Sequence, residues 1–240
     1  MPKTLRQQRR GSQKPKYLAK SHRFKTKVNY RIYDSAEKTD KVTGKISDIF
    51  HDPSKSAPVM EVTFGTEKVY LPAPKNVFVG QEIECGSKAR IGVGNVIPLG
   101  FLPEGSVVCN LELRPGDGGR IVRSAGASAR VTSKDEKAVI VKLPSKKVKI
   151  LSPSCRAMIG IISAGGKTKK PFVKAGKRFH VLQSKSKIWP IVKGTCMNPV
   201  DHPHGGGKRR NKKKKTVGRF AAPGQKVGSI ASKQTGRRKK

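Results

Sequence analysis

Acidic residues are nearly absent from both ends of this 240-residue chain. Residues 137–240 carry 29 Lys and Arg residues and a single acid, Asp201, while residues 1–31 carry 11 basic residues and no acid. Residues 32–136 have 13 basic and 14 acidic residues, so almost all of the net charge of +38 lies at the two ends. Self-repulsion on this scale opposes compaction, and it predicts that the ends bind a polyanion. Nucleic acid is the leading candidate.

Paired cysteines and long apolar runs are also lacking. The four cysteines are spread singly along the chain with no Cys-x-x-Cys pair, which argues against a zinc site or a disulfide framework and favours reduced thiols. The first residues contain no apolar signal segment, and no apolar run approaches the ~20 residues of a membrane span. We expect a soluble, cytoplasmic protein with no membrane partner.

Nucleotide-binding motifs are incomplete. Gly166-Lys167-Thr168 resembles the end of a P-loop, but the glycine that the motif requires five positions before Gly166 is replaced by Ile161. The sequence therefore gives no support for a phosphate-binding loop of that class.

Short apolar runs fill the chain between residues 34 and 180, and they indicate β-structure. Met60, Val62 and Phe64 alternate with polar residues, a period of two that predicts a strand over Val59–Phe64. Similar patterns predict strands over Val107–Leu113, Ala138–Leu143 and Val148–Leu151. Gly- and Pro-rich turns separate the runs, which predicts small β-barrels or sandwiches. A break near Gly94–Gly100 would divide them into two barrels.

One short helix is predicted. Ser152–Ile159 begins with a capping serine followed by Pro153 at the first helical position.

Aromatic residues are spaced along the basic N-terminal arm. Tyr17, Phe24 and Tyr30 could stack on bases or fix the arm to the body. The second interpretation is favoured for Tyr30, because Ile32 and Tyr33 follow closely.

The segment Asn198–Gly207, read as NPVDHPHGGG, contains the candidate functional residues of the C-terminal end. His202 and His204 could bind a metal, act as acid and base, contact RNA bases or phosphates, or belong to a linker. The three glycines allow close backbone approach to a phosphate or base, and the two prolines limit the entropy lost on docking. We favour RNA docking. Asp201 could bond to a base amino group, to a backbone N–H or to magnesium.

Several motifs in order make the chain recognisable. Gly194–Met197 leading into Asn198–Gly207 resembles a signature of the universal large-subunit ribosomal protein two family. Three further segments resemble loops and the inter-barrel segment of the same family: His51–Ala57, Gly92–Gly105, and Pro115–Gly119 followed by Arg123–Gly126. The very basic stretch after Gly207 resembles archaeal or eukaryotic members.

The resemblance implies a mainly β fold, with an OB-fold barrel followed by an SH3-like barrel and long basic extensions at both ends. We expect a basic arm over residues 1–33, the OB-fold barrel over 34–96, the SH3-like barrel over 97–185 and a basic extension over 186–240. The implied partners are large-subunit rRNA, neighbouring ribosomal proteins and the small subunit across the intersubunit face. We expect no homo-oligomer.

The implied function is structural: subunit assembly, subunit association and organisation of the RNA peptidyl-transferase centre. The protein would not be an enzyme, and it would need no cofactor beyond magnesium ions associated with rRNA. His202 would organise structure instead of catalysing. The RNA-binding residues expected from the motifs are Lys55, Arg123, Asn198, Asp201, His202, His204, Gly205, Gly206, Gly207, Lys208, Arg209, Arg210 and Lys212. At position 55 this sequence has Lys where many family members have Arg. A Lys ammonium keeps the positive charge but cannot form the bidentate hydrogen bonds that an Arg guanidinium makes with a phosphate.

The same basic ends and histidines would also suit two other functions. An RNA-acting enzyme would use His202 and His204 as acid and base, with Lys208 stabilising charge. A histone-like protein would compact DNA and would not distinguish DNA from RNA.

Overall fold

Ten β-strands form one mixed sheet in the computed structural model, which describes residues 3–12, 17–206 and 216–233. The strands are β1 Lys41–Phe50, β2 Val59–Phe64, β3 Glu67–Pro72, β4 Glu82–Gly86, β5 Val96–Pro98, β6 Val107–Cys109, β7 Ala129–Lys134, β8 Val139–Lys142, β9 Val148–Leu151 and β10 Arg156–Ile159. Their order across the sheet is β3-β2-β1-β4-β5-β10-β6-β7-β8-β9. Neighbouring strands are antiparallel except β4 and β5, which pair in parallel at Cys85 and Val96.

The remaining elements are short. The α-helices are α1 Arg6–Gly11, α2 Ser35–Thr39, α3 Gly166–Lys169 and α4 Ala175–Ser184; the 3-10 turns are Ser21–Arg23, Leu99–Phe101 and Gly194–Cys196. Two further strands, β11 Thr216–Val217 and β12 Ser229–Ile230, pair in parallel as a separate sheet. The sequence pattern did not predict α4, whose hydrophobic residues are too few to give a clear helical period.

The predicted strand Val59–Phe64 is confirmed as β2. Met60, Val62 and Phe64 are buried, while Glu61 and Thr63 are half-buried on the other face. Gly44 in the neighbouring strand β1 allows the Phe64 ring to lie against the backbone, because a Cβ at position 44 would stand 2.6 Å from ring atoms.

The other strand predictions are confirmed with shorter bounds where the backbone turns. β8 and β9 occupy the two predicted runs on either side of Pro144. The predicted strand Val107–Leu113 ends at Cys109, because Asn110 has a positive φ of 48° that a strand cannot accommodate. Leu111 then makes an isolated bridge to Ile121.

The predicted helix at Ser152–Ile159 is wrong. Ser152 begins a turn, in which Cys155 N donates to the Ser152 carbonyl, and Arg156–Ile159 is strand β10. Ala157 and Met158 are fully buried in the sheet between β5 and β6. The Ser152-Pro153 pair is a signal for a turn as well as for the start of a helix. Here the pairing of β10 with strands on both sides outweighs the local preference for a helix.

Buried apolar side chains form two clusters in the body Ser21–Pro171, in keeping with two barrels. The first includes Ile46, Met60, Val62, Leu71, Ile83 and Val96. The second includes Ile97, Leu99, Leu111, Val131, Val141 and Ala157. At ~25 cal/mol per Å² of apolar area, this burial is the main stabilisation of the body. The sheet is continuous between the clusters, and the predicted boundaries at residues 33, 96 and 185 stay predictions.

A buried ion cluster joins strand β10 to helix α2 and to the loop that follows β6. Arg156, 1% exposed, donates from Nη1 to Glu37 Oε2 at 2.8 Å and from Nη2 to Glu112 Oε1 at 2.9 Å. Both carboxylates are fully buried, and the guanidinium carbon lies 5.1 Å from the Tyr30 ring centre and 4.7 Å from that of Tyr33. Burial raises the pKa of Glu37, against the lowering effect of Arg156. Only such close pairing offsets the cost of placing these charges in the interior.

The N-terminal arm is fixed to the rest of the body from Thr26 onward, as the favoured interpretation of Tyr30 requires. Tyr30 is buried, and its hydroxyl donates to the Asn110 carbonyl at 2.6 Å. Its backbone N–H donates to Gly118 O at 3.0 Å. Tyr30 is therefore a core residue and is not available to stack on a base.

The described residues up to Lys20 and from Phe172 form a second compact unit. Among its described residues, only Leu5 and Val227 are buried apolar side chains. Turns and backbone hydrogen bonds are therefore the main contacts among the described residues of this unit.

Candidate nucleic-acid interface

The loop Asn198–Gly206 is closed by its own backbone. The N–H groups of Asp201 and His202 both donate to the Asn198 carbonyl, at 3.0 and 3.3 Å. Gly205 N donates to His202 O at 2.8 Å, and Gly206 N donates to Met197 O at 3.0 Å. These bonds give the histidine-rich segment a defined shape without a large apolar core.

Glycine is required in this loop by contacts within the protein. A Cβ at Gly205 would overlap the Asn198 carbonyl oxygen, and one at Gly206 would overlap the Pro199 ring. Gly206 also has a positive φ of 66°. These glycines therefore shape the loop, in addition to any close approach that they allow to a partner.

His202 is packed against glycine backbone and against its neighbour. A Cβ at Gly194 would overlap the imidazole ring, so the ring lies directly on the turn Gly194–Cys196. His202 Nδ1 accepts the backbone N–H of His204 at 3.0 Å, and the two ring centres are 5.1 Å apart. Burial, and then the charge of His204, lower the pKa of His202 below its usual value. Because Nδ1 accepts this N–H, the neutral ring carries its proton on Nε2.

Asp201 pairs with the N-terminal arm. Its Oδ1 lies 3.2 Å from Lys3 Nζ, and Lys3 N donates to Val200 O at 2.8 Å. Nearly 200 positions separate these residues, so no sequence pattern could have shown that residues near the N-terminus belong to this site. Arg6 and Arg9 of α1 lie beside the same loop and were missed for the same reason.

Lys55 lies in a loop whose shape is set by a buried carboxylate. Asp52, fully buried, accepts the N–H groups of Thr26 and Ser54 at 3.2 and 2.8 Å and the Thr26 hydroxyl at 3.1 Å. Burial alone would raise the pKa of Asp52, but these hydrogen bonds outweigh it and lower the pKa to about 2. The Lys55 ammonium donates to Ser54 Oγ at 2.7 Å and remains partly exposed.

Arg123 is turned toward the protein. Nη1 donates to the Gly119 carbonyl at 2.8 Å, and Nη2 donates to the Val28 carbonyl at 2.6 Å. Partial burial lowers its pKa, although a guanidinium stays charged at neutral pH. Its remaining N–H donors are the ones available to a phosphate.

The predicted residues do not all fall in one place on the described chain. Asn198, Asp201, His202, His204, Gly205 and Gly206 share one loop, while Lys55 and Arg123 belong to the body. Gly207, Lys208, Arg209, Arg210 and Lys212 lie outside the described residues.

Within residues 3–12, 17–206 and 216–233, no three His, Cys, Asp or Glu side chains are grouped closely enough to hold a metal ion. No helix in that part of the chain has the length and apolar character needed to span a bilayer.

Two family models match most of the chain. One, described as the RNA-binding N-terminal domain of ribosomal proteins L2, matches residues 3–85, and the C-terminal domain of ribosomal proteins L2 matches residues 92–222. The chain belongs to the ribosomal protein L2 family. The mainly β fold, with an OB-fold domain followed by an SH3-like domain, is therefore confirmed. The character of the two basic extensions stays a prediction.

Relatives similar over their whole length support the L2 assignment. The large ribosomal subunit protein uL2 of Methanothermobacter thermautotrophicus is 48% identical over 242 residues and covers all of both chains. The protein of the same name from Methanococcus maripaludis strain C5 is 50% identical over 240 residues, which are 99% of this chain and all of the relative. A third, from Methanobrevibacter smithii, is 48% identical over 98% of this chain and 99% of its own. These relatives are archaeal, in agreement with the resemblance to archaeal or eukaryotic members.

Proposed function

We propose that this L2-family protein is a structural constituent of the large ribosomal subunit that binds large-subunit rRNA in the cytoplasm. The observation that carries the proposal is the match of an RNA-binding domain to residues 3–85 in a chain whose ends are almost free of acids. Each acid beside a phosphate would repel it, whereas each Lys or Arg releases a counterion on binding.

The two regions of the chain would contribute differently. The cationic ends would supply most of the affinity through phosphate neutralisation. The body loops that carry Lys55 and Arg123 would set the register on a shaped RNA junction, which is recognised largely by geometry. The full set proposed to contact RNA is Lys55, Arg123, Asn198, Asp201, His202, His204, Gly205, Gly206, Gly207, Lys208, Arg209, Arg210 and Lys212.

The same binding would support subunit assembly, association with the small subunit and organisation of the RNA peptidyl-transferase centre. Neighbouring ribosomal proteins would be further partners, and the protein would act as a single copy. Magnesium ions would be those that accompany rRNA, with no cofactor of the protein's own.

We propose no catalytic residue. A general base needs a nitrogen lone pair that is free to take a proton. His202 Nδ1 already accepts the His204 backbone N–H, so the proton of the neutral ring is on Nε2 and neither nitrogen has a free lone pair. This bond supports a structural role for the loop.

Sucrose-gradient sedimentation of native extracts tests the assignment. We expect the protein to sediment with the large subunit and to leave it when salt is raised well above the physiological level. Purified protein should also bind a large-subunit rRNA fragment more tightly than duplex DNA of equal length at moderate salt. Equal binding to both would favour a DNA-compacting role, and RNA cleavage or modification that His202→Ala abolishes would favour an enzyme.

A further inference from the structure

A groove lies beside the histidine-rich loop, within the unit formed by the chain ends. Helix α1 and residues 191–202 enclose a cavity of about 220 Å³, and a second cavity of about 380 Å³ shares the lining residues Arg6, Val192, Met197 and Asp201 with it. We call these two adjacent cavities the Asp201 groove.

Apolar side chains form much of the wall of the Asp201 groove. Met197 lines both cavities, together with Val192, whose side chain is 49% exposed; Ile191, 65% exposed, lines the smaller one. Exposed apolar side chains in a strongly cationic unit favour a partner with an apolar surface. The smaller cavity is below the roughly 300 Å³ at which sites for drug-sized ligands begin, so it suits a single flat ring.

Both positive and negative side chains line the Asp201 groove, and together they limit the chemistry of the ligand that could bind there. Arg6 lines both cavities, Arg10 lines the first and Arg9 lines the second, so phosphates would be attracted to the rim. Asp201 lines both cavities and would repel a phosphate. The part of the ligand beside Asp201 must therefore donate hydrogen bonds. An unstacked nucleotide in single-stranded RNA has all three features: an anionic backbone, a flat ring and N–H groups on the ring edge.

We propose that the Asp201 groove binds an unstacked guanine base of RNA, whose N1–H and 2-amino group donate to the Asp201 carboxylate. The inference rests on the RNA binding proposed above and specifies the base that one part of it recognises. An ionised carboxylate only accepts hydrogen bonds, and guanine presents two adjacent donors on its Watson–Crick edge, whereas adenine and cytosine present one amino group. Lys3 at 3.2 Å from Oδ1 holds the carboxylate in place and leaves further lone pairs for the base.

Binding of short RNAs to the full-length protein tests the proposal. The probes are fluorescent hexaribonucleotides of uridine in which one central base is guanine, adenine or hypoxanthine, measured with excess polyuridine to occupy the nonspecific cationic surface. We expect guanine to bind about tenfold more tightly than adenine, the scale of one two-bond base contact. Hypoxanthine, which lacks the 2-amino group, should fall between them.

Asp201→Asn distinguishes base recognition from a structural role. The Asn side chain has a carbonyl acceptor and an NH2 donor, which can bond together to N6 and N7 of adenine. We expect the variant to lose the preference for guanine and to prefer adenine. If Asp201 served only to shape the loop, all three RNAs would weaken by the same factor, and this result would overturn the proposal.

A matched pair of valine substitutions checks the location. Val192 lines the groove, and Val200, 46% exposed, does not, although the two side chains are similarly exposed. Val192→Ala should weaken guanine binding several-fold, while Val200→Ala should not change it. Equal effects of both would place the base elsewhere and overturn the proposal.

The outcomes also separate this inference from the proposed function. Equal affinity of the wild-type protein for all three RNAs, with binding that weakens steeply in salt, would overturn guanine recognition and leave rRNA binding intact. Equal affinity for RNA and DNA, together with no sedimentation with the large subunit, would overturn both.

Discussion

The body and the chain ends of this protein are ordered by different kinds of interaction. The body Ser21–Pro171 contains 14 of the 15 acidic residues of the chain, and it buries two apolar clusters and a paired ion cluster. The described part of the ends buries only Leu5 and Val227 among its apolar side chains. Its order comes from local features instead, such as the backbone bonds and obligatory glycines of the loop Asn198–Gly206.

Stability and RNA binding are therefore expected to depend on different parts of the chain. Changes in the body should appear mainly in the free energy of unfolding, because burial carries it. Changes at the ends should appear mainly in RNA affinity and its salt dependence, since few buried contacts are lost there. Four substitutions test this division.

Breaking the buried ion cluster should give the largest effect. Glu112→Gln leaves Arg156, 1% exposed, without one of its two carboxylate partners, and we expect the free energy of unfolding to fall by about 3–5 kcal/mol in a denaturant titration. The matched control Glu136→Gln changes an exposed side chain and should stay within about 0.5 kcal/mol. A loss below about 1 kcal/mol for Glu112→Gln would show that the cluster adds little to the body.

The Asp52 carboxylate should make part of the stability of the body depend on pH. Its folded pKa of about 2 lies below the usual value of 3.8, so its contribution is present above about pH 4 and disappears as the pH falls toward 2. Asp52→Asn should lower the free energy of unfolding by up to about 2 kcal/mol at pH 7 and by little at pH 2.

Asp48→Asn is the control for this pH dependence. Asp48 is exposed, and its carboxylate accepts only the N–H of the adjacent Ile49 among the hydrogen bonds of the described residues. The Asp48 variant should differ from the wild type by no more than about 0.5 kcal/mol throughout. A constant difference for Asp52→Asn across the pH range would contradict the assigned hydrogen bonds.

Gly206→Val tests whether the loop at the chain ends is shaped by glycine. Its positive φ and the overlap with Pro199 should cost about 1–3 kcal/mol locally, and the loop would rearrange without unfolding the body. We expect reduced incorporation into large subunits and an unchanged melting temperature of the body. Gly218→Val, at a position with nothing within 4 Å of an added Cβ, should be incorporated normally. Equal incorporation of both variants would indicate that the loop is only a linker.

Lys55→Gln should have the smallest effect and tests whether the body also contacts phosphate. The Lys55 ammonium bonds only to Ser54 Oγ among the described residues, so its loss should not alter the denaturant midpoint. The slope of log affinity for rRNA against log salt should become shallower by about 0.7–0.9, the range per phosphate contact for single-stranded and duplex nucleic acid. Lys88→Gln, outside the proposed contacts, serves as the control. An unchanged slope for Lys55→Gln would remove Lys55 from the interface.

Local patterns predicted much of the sheet. The alternation in Val59–Phe64 gave β2 with its correct bounds, since one face of that strand is buried and the other is not. The helix predicted from Ser152 failed because Arg156–Ile159 is buried between two strands, and a local capping signal carries no information about such pairing. The candidate loop was visible from its unusual composition, but the role of its glycines in packing against Asn198 and Pro199 was not.

The uneven charge, the β-rich middle and the motifs of the ribosomal protein L2 family could all be read from the amino-acid sequence, because composition and local periodicity are properties of neighbouring residues. The tertiary structure alone decided that Arg156 meets Glu37 and Glu112, and that Lys3 meets Asp201. These partners are far apart along the chain, and only the folded backbone brings their charges within hydrogen-bonding distance.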